Sequence, residues 1–309
     1  MHRAIGQALV LLAVLGSAGG VMARAAAAQV PAEISAGEEL WELRLADGST
    51  LYGRVQSVSG DALVVTTAGG ATVELQRSMI RSMAPVSGVV RDGEVWPTDP
   101  NLTRLFFGPT GRNLERGEGY VGVFELFFPF VTYAPTDFLT LAGGTPVIPE
   151  VIGRVFYFAP KVGGRISEKA TVGAGVLAFH DASADAGDVS SVGVVYGVGT
   201  YGTEDTAGTF GLGWGFAGDE VENRPVALVG LERRLSPRMK LLSENYFISY
   251  RDGSGPGART EFASLLSGGI RFFGQRLSAD AGLGIAVAEG DSFCCLPLVN
   301  FVYNFGVGR

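Results

Sequence analysis

Histidine is almost missing from this chain: His2 and His180 are the whole supply. If the N-terminal stretch is cut off on export, only His180 remains, which excludes a multi-histidine metal centre. It also leaves a Ser-His-Asp arrangement one candidate base, and no serine stands in a G-x-S-x-G context. His180 ends a strand-like segment beside Asp181, in what reads as a surface loop. The chain is therefore expected to be non-enzymatic, without metal or cofactor. Cysteine is nearly absent too. Cys294 and Cys295 are adjacent, and consecutive Cα atoms stand closer than disulfides usually require. An exported chain can still oxidise such a pair. Both read as loop residues within EGDSFCCL.

Positive charge is in deficit, with 24 Lys and Arg against 31 Asp and Glu, a net charge of −7. Residues 1–28 hold Arg3 and Arg24 and no acid, so losing them takes the charge to −9. Nothing here favours nucleic acid as a partner. Beyond residue 28 there is no apolar run of the about 20 residues that a spanning helix needs. Yet mean hydropathy is +0.26, and glycine reaches 46. High hydropathy without a long run is what alternating strands produce.

The N-terminus carries His2 and Arg3, then an apolar run from Ala4 to Leu15, then small residues up to Ala26-Ala27-Ala28. That order reads as a secretory signal peptide over 1–28. The clearest pattern lies further on, in Ser190 to Phe216. Phe210, Leu212, Trp214 and Phe216 fall on one face of a strand, and Thr209, Gly211, Gly213 and Gly215 on the other. A soluble sheet would place Lys, Glu and Thr on its second face. Glycine there predicts the crowded interior of a curved sheet, and leaves the large apolar row to be covered by lipid.

From Leu102 onward the alternation predicts twelve segments: 103–109, 118–134, 137–146, 153–166, 170–180, 190–202, 206–216, 225–235, 238–250, 261–273, 276–288 and 296–306. Most have the length of a tilted membrane strand. Short turns such as Thr203-Glu204-Asp205 and Gly274-Gln275 alternate with longer polar stretches, among them GRNLERGE, PVIPEV, DASADAGDV, AGDEVENR and RDGSGPGART. Short turns at one end and long loops at the other is the outer-membrane arrangement, and an even strand count returns both ends to the periplasm. The closing strand, with Phe301, Tyr303 and Phe305 alternating, resembles the C-terminal assembly signal of bacterial outer-membrane barrels. It departs from that signal in having Asn300 where glycine is usual and four residues after the last aromatic. Residues 102–309 thus resemble poorly characterised outer-membrane barrel proteins, which implies a fold and no particular substrate. Tyr120, Tyr157, Tyr201, Trp214, Tyr246, Tyr250 and Tyr303 would suit interfacial girdles.

Ahead of this lies a second β-rich region. WELRLA, the turn Asp47-Gly48, TLYGRVQSV, the turn at Gly60-Asp61, ALVVTTA, Gly69-Gly70 and ATVELQ give four or five short strands over 40–83. LRLADGSTLYGRVQSVSGDALVV resembles the Sm-like family, with Gly53 where the second strand must bend. The resemblance implies a small closed barrel of the Sm or SH3 type. Ser59-Gly60-Asp61 lacks the Asn-containing loop that RNA recognition uses, so the expected role is a periplasmic adaptor or an oligomerisation module. Residues 84–101, with Pro85, Gly88, Gly93, Pro97 and Pro100, read as a linker.

Charges on inward faces are the candidate site. Arg271 shares its face with Ser267 and Gly269, and Asp280 shares its face with Ser278 and Gly282; a hairpin through Gly274-Gln275 brings the two together. Lys161, Glu125 and Glu244 join them. A charge facing lipid costs a few kcal/mol at mid-membrane, so each is expected in the lumen. Two readings stay open: a constriction selecting small solutes, or an ion-paired network filling a narrow barrel. Gly197-Val198-Gly199-Thr200-Tyr201-Gly202 matches G-x-G-x-x-G, but the chain turns into another strand after it, so no nucleotide site is expected.

The fold expected is all-β: a transmembrane antiparallel barrel of about twelve strands preceded by a small Sm/SH3-like barrel. The location expected is the bacterial outer membrane, with the small domain in the periplasm. The function expected is a non-enzymatic narrow channel or structural barrel. The alternative is an anchored protein whose small domain binds an envelope partner.

Overall fold

The structure, a computed structural model, describes residues 36–184, 189–252, 259–288 and 291–306. The segment read as a signal peptide lies outside them. Two compact units divide the described chain at Thr98/Asp99.

The first unit holds a five-stranded antiparallel sheet: β1 (Leu40–Leu45), β2 (Thr50–Ser59), β3 (Ala62–Thr67), β4 (Thr72–Gln76) and β5 (Ile80–Pro85), in the order β4-β3-β2-β1-β5. The β1–β2 turn forms where the sequence places Asp47-Gly48. Gly48 takes φ +90°, and the Asp47 carboxylate accepts the Ser49 amide at 2.8 Å. Alternation sends Leu43, Val55, Leu63, Val65, Leu75, Ile80 and Met83 into one core. A single 3₁₀ turn, Arg77–Met79, joins β4 to β5, and no ladder pairs those two strands among the described residues. The sheet is thus present, without the ladder closure that a small closed barrel implied. The linker reading of 84–101 is corrected: β6 (Gly88–Arg91) and β7 (Glu94–Pro97) form a hairpin there, turning at Asp92-Gly93, both of which have positive φ.

The second unit is a closed antiparallel barrel. Its strands are β8 (Gly119–Phe124), β9 (Phe128–Thr136), β10 (Leu139–Gly144), β11 (Val155–Phe158), β12 (Lys161–Arg165), β13 (Ala170–Asp181), β14 (Ser191–Gly202), β15 (Thr206–Ala217), β16 (Glu220–Ser236), β17 (Met239–Asp252), β18 (Arg259–Phe273), β19 (Leu277–Ala288) and β20 (Asp291–Phe305). β11 and β12 both pair with β13 and occupy one position in the wall, interrupted at Ala159-Pro160, so the wall has twelve positions. Neighbours in sequence pair throughout, and β20 pairs with β8 to close the ring. Closure removes the free edges that an open sheet of this size would present.

The faces follow the alternation. Phe210 and Trp214 are exposed on the outside, as are Leu231, Leu241, Phe272, Leu283 and Phe301, whereas Thr209 is buried inside. An outward row of this composition is what a transmembrane barrel presents to lipid.

Four expectations for this unit are corrected. Segment 103–109 is not a wall strand; its one bridge joins Arg104 to Pro109, and Leu105 and Phe106 are fully buried. Segment 118–134 is two strands, turning at Glu125 and Leu126, which have φ of 49° and 64°. The strand count holds because one segment leaves the wall and another divides. The shift also moves GRNLERGE. It leads into β8 at the short-turn end, where Gly117 N donates to Ala134 O at 2.8 Å, so it is not a loop of the opposite end. Cys294 and Cys295 lie within β20, not in a loop, and are joined by a disulfide. Cys295 has φ 69° and stands where the β19–β20 register shifts.

Candidate functional site

Inside the barrel lies the chain's own segment 99–114. It enters at the end where the short turns are, and Asp99, Asn101, Thr103, Arg104, Leu105, Phe106, Thr110 and Leu114 are all buried. A segment in that position has no neighbouring strand, so its backbone groups must find partners on wall side chains. That requirement explains why charges sit on inward faces.

Arg271, fully buried, is the centre of the arrangement. Its Nε donates to Asp280 at 2.7 Å, and Nη1 reaches Asp99 at 3.4 Å and the Asn101 carbonyl at 2.9 Å. Its Nη2 donates to the Leu105 carbonyl at 2.5 Å. Asp280 also accepts from Arg104 at 2.6 Å, and the Lys240 ammonium pairs with Asp99 at 2.9 Å. Asn300 donates to the Phe106 carbonyl at 3.1 Å and Asn101 to Ser278 at 2.6 Å. The Arg271–Asp280 pair is bidentate, and Arg271 adds bonds to backbone carbonyls, the condition under which a buried charge is held.

Further along, the segment is gripped from two sides. The Glu244 carboxylate accepts the amides of Phe107 at 3.0 Å and Gly108 at 2.9 Å, together with the Tyr246 hydroxyl at 2.7 Å. The Lys161 ammonium donates to the carbonyls of Thr110 at 3.1 Å and Arg112 at 2.5 Å. Thr200 accepts the Gly111 amide at 2.9 Å, and Arg112 pairs with Glu232 at 2.5 Å.

Glycines on the wall make room for the segment. A Cβ on Gly230 would collide with the Leu105 side chain, and one on Gly282 would press on the Phe106 ring at 3.1 Å. Outside the spanning strands, burial raises the Glu118 carboxyl, which accepts the Glu115 amide at 2.9 Å.

Of the five residues singled out from sequence, Arg271, Asp280, Lys161 and Glu244 face the lumen and are buried there. They hold residues 99–112 instead of standing around an open constriction. Glu125 is elsewhere: it occupies the β8–β9 turn, away from the network, and accepts the Val299 amide at 3.0 Å. Sequence reasoning missed Asp99 and Arg104, because 84–101 read as a linker and 103–109 as a strand. Lys240 and Glu232 carried a usable signal, since both continue the inward row through Gly230 and Glu244. Among the described residues no three His, Cys, Asp or Glu side chains converge as a metal would need. His180 pairs across strands with Ser191 at 3.0 Å, while Asp181 accepts from Ser183 at 2.7 Å, so the three do not form a triad.

No profile of a known family matches the chain, and no curated protein matches it. Among solved structures it is similar to OmpT, an outer membrane protein of Vibrio cholerae, in its trimer form. Identity there is 16%, over 86% of this chain and 95% of that one, with a TM-score of 0.34. A loop-deletion form of the same protein gives 15% identity, 86% and 96% coverage, and a TM-score of 0.36. The outer membrane channel DcaP of Acinetobacter baumannii gives 10% identity, 86% and 94% coverage, and a TM-score of 0.30. These likenesses concern fold alone, and the barrel assignment rests on this chain's own closed ladder.

Proposed function

We propose that this chain is a non-enzymatic structural barrel of the bacterial outer membrane, closed at its inner end by residues 99–114. It holds the unit before it, 36–98, in the periplasm. The observation that carries the reading is the set of bonds from Arg271 to Asp280, Asp99 and the carbonyls of Asn101 and Leu105. Every one of those partners except Asp280 belongs to the segment inside the lumen. An open constriction would instead leave its charged groups to water and solute. Short turns at the end where the chain enters and leaves the barrel support a periplasmic side there. The sheet of 36–98 then serves as the Sm/SH3-like module that a periplasmic protein partner binds, and the net charge of −7 disfavours nucleic acid.

The test is conductance. The full chain, purified from the outer-membrane fraction and shown to shift on SDS gels between unheated and boiled samples, is inserted into planar bilayers. The expected result is no steady open-channel current. A constant ohmic conductance from single insertions would overturn the closed-barrel reading and favour the narrow channel.

A further inference from the structure

The wall is not of even height. β16, β17, β18 and β20 run for 17, 14, 15 and 15 residues, but β8, β9 and β10 for only 6, 9 and 6. β20 therefore meets β8 only from Asn300 to Phe305. From Asp291 to Leu298 it is paired on the β19 side alone among the described residues, roughly 26 Å of strand edge at about 3.3 Å per residue.

This edge is built not to take another strand. At its foot Glu125 closes the ladder, accepting the Val299 amide at 3.0 Å while its own amide donates to the Val299 carbonyl at 2.9 Å. Val299 thus turns its backbone groups toward the gap, and by alternation so does Pro297, which has no N–H to offer. Beyond it Cys295, with φ 69° and displaced from the β19–β20 register, breaks the row. Proline and a bulge are the devices by which edges avoid pairing. A second copy or a strand-forming peptide is therefore a poor occupant.

What the gap opens onto is apolar. Its sill is the β8–β9 turn, where Phe124 stacks on Phe130 at 4.0 Å and Leu126 is exposed. The floor is the tip of the lumen segment: Phe106 packs with Leu242 and Leu298, and Phe107 meets Phe124 edge-on at 5.5 Å. Farther out, the inward rows carry Val194, Tyr196, Ile248, Leu265, Ala286, Phe293 and Leu296, and charge returns toward the rim with Glu222 against Gly215, Glu261 opposite Tyr250 and Asp291 opposite Ala288. Toward the floor, the Tyr246 hydroxyl donates to Glu244.

We propose that the outer half of the barrel is a blind chamber entered sideways from the membrane, and that it takes a single-chain amphiphile of the fatty-acid class. An apolar tail is matched by the inward rows, and its polar end by the hydroxyl of Tyr196. The side gap supplies an entrance from lipid that avoids carrying the tail through water. This goes beyond the closed-barrel reading, because conductance and chamber occupancy are read separately.

The test is photolabelling of the full chain in phosphatidylcholine vesicles with palmitic acid bearing a terminal diazirine. The expected label falls on peptides holding Phe128, Leu296 and Leu298, and unlabelled palmitate reduces it about tenfold or more. Ala286→Trp, which fills the chamber, abolishes the label, and Ile285→Trp on the lipid face does not. Label confined to outward residues such as Leu283 and Phe301, or insensitive to palmitate, overturns the proposal. So does equal labelling of the inward peptides by a diazirine phosphatidylcholine, which would mean bilayer lipid only. If Ala286→Trp fails the gel-shift check, the wild-type label position and its competition decide alone.

Discussion

Arg271→Ala removes one side chain that touches both the wall and the lumen segment. The residue is fully buried, bonds twice to Asp280, reaches Asp99, and donates to the carbonyls of Asn101 and Leu105. Breaking a buried pair typically costs about 3–5 kcal/mol, because the remaining charge is left without compensation. Here Asp280 keeps Arg104 at 2.6 Å and Asp99 keeps Lys240 at 2.9 Å, so the lower end, ~3 kcal/mol, applies. Most of the loss falls on holding the segment in place, since the ladder between β18 and β19 does not use this side chain. At about 1.4 kcal/mol per factor of ten, the segment opens on the order of a hundredfold more often. Amide hydrogen exchange of the detergent-solubilised chain reads this directly. The amides of Phe107, Gly108 and Gly111, now bonded to Glu244 and Thr200, exchange about a hundredfold faster, while those of β17 and β18 stay protected. Unchanged exchange at these three sites in a folded barrel would refute the argument. Uniform loss of protection would show instead that the network sets wall register.

Three further outcomes follow from the same geometry. Lys161→Met leaves the Thr110 and Arg112 carbonyls without their donor, costing about 1–3 kcal/mol; exchange at Gly111 speeds up more than at Phe107. Leu212→Arg puts a charge on the outward row opposite Gly197 and costs about 2–4 kcal/mol if that level is mid-membrane, measured by urea-dependent refolding into vesicles; a change within error would mean the row does not face lipid. Leu63→Ala in the fully buried core of the small sheet costs about 2–5 kcal/mol there, lowering the melting temperature of residues 36–98 by circular dichroism while the barrel's SDS resistance stays as it was.

The alternation of single strands was legible because it depends only on which side of a strand a residue occupies. Phe210, Leu212, Trp214 and Phe216 against Thr209, Gly211, Gly213 and Gly215 need no partner to be read. The same rule put Arg271 and Asp280 on one inward face, and they pair directly across β18 and β19. The rule says nothing about where a segment goes once it leaves the wall. TRLFFGP looked like a strand because its Leu105 and Phe106 side chains are buried inside the barrel, which makes the segment as apolar as a wall strand. Likewise 118–134 looked continuous, because Glu125 and Leu126 turn the chain through positive φ without the glycine or asparagine that usually announces it.

Sequence alone thus determined the β class, the inward and outward faces, the short-turn end and the need for charges to avoid lipid. Each is a local consequence of period two and of the cost of a charge in hydrocarbon. Only the tertiary structure decided that the charges hold residues 99–112 instead of a solute, and that the wall is low beside β20. Both depend on which backbone groups are left without a ladder partner, and that is settled only when all twelve wall positions have closed on one another.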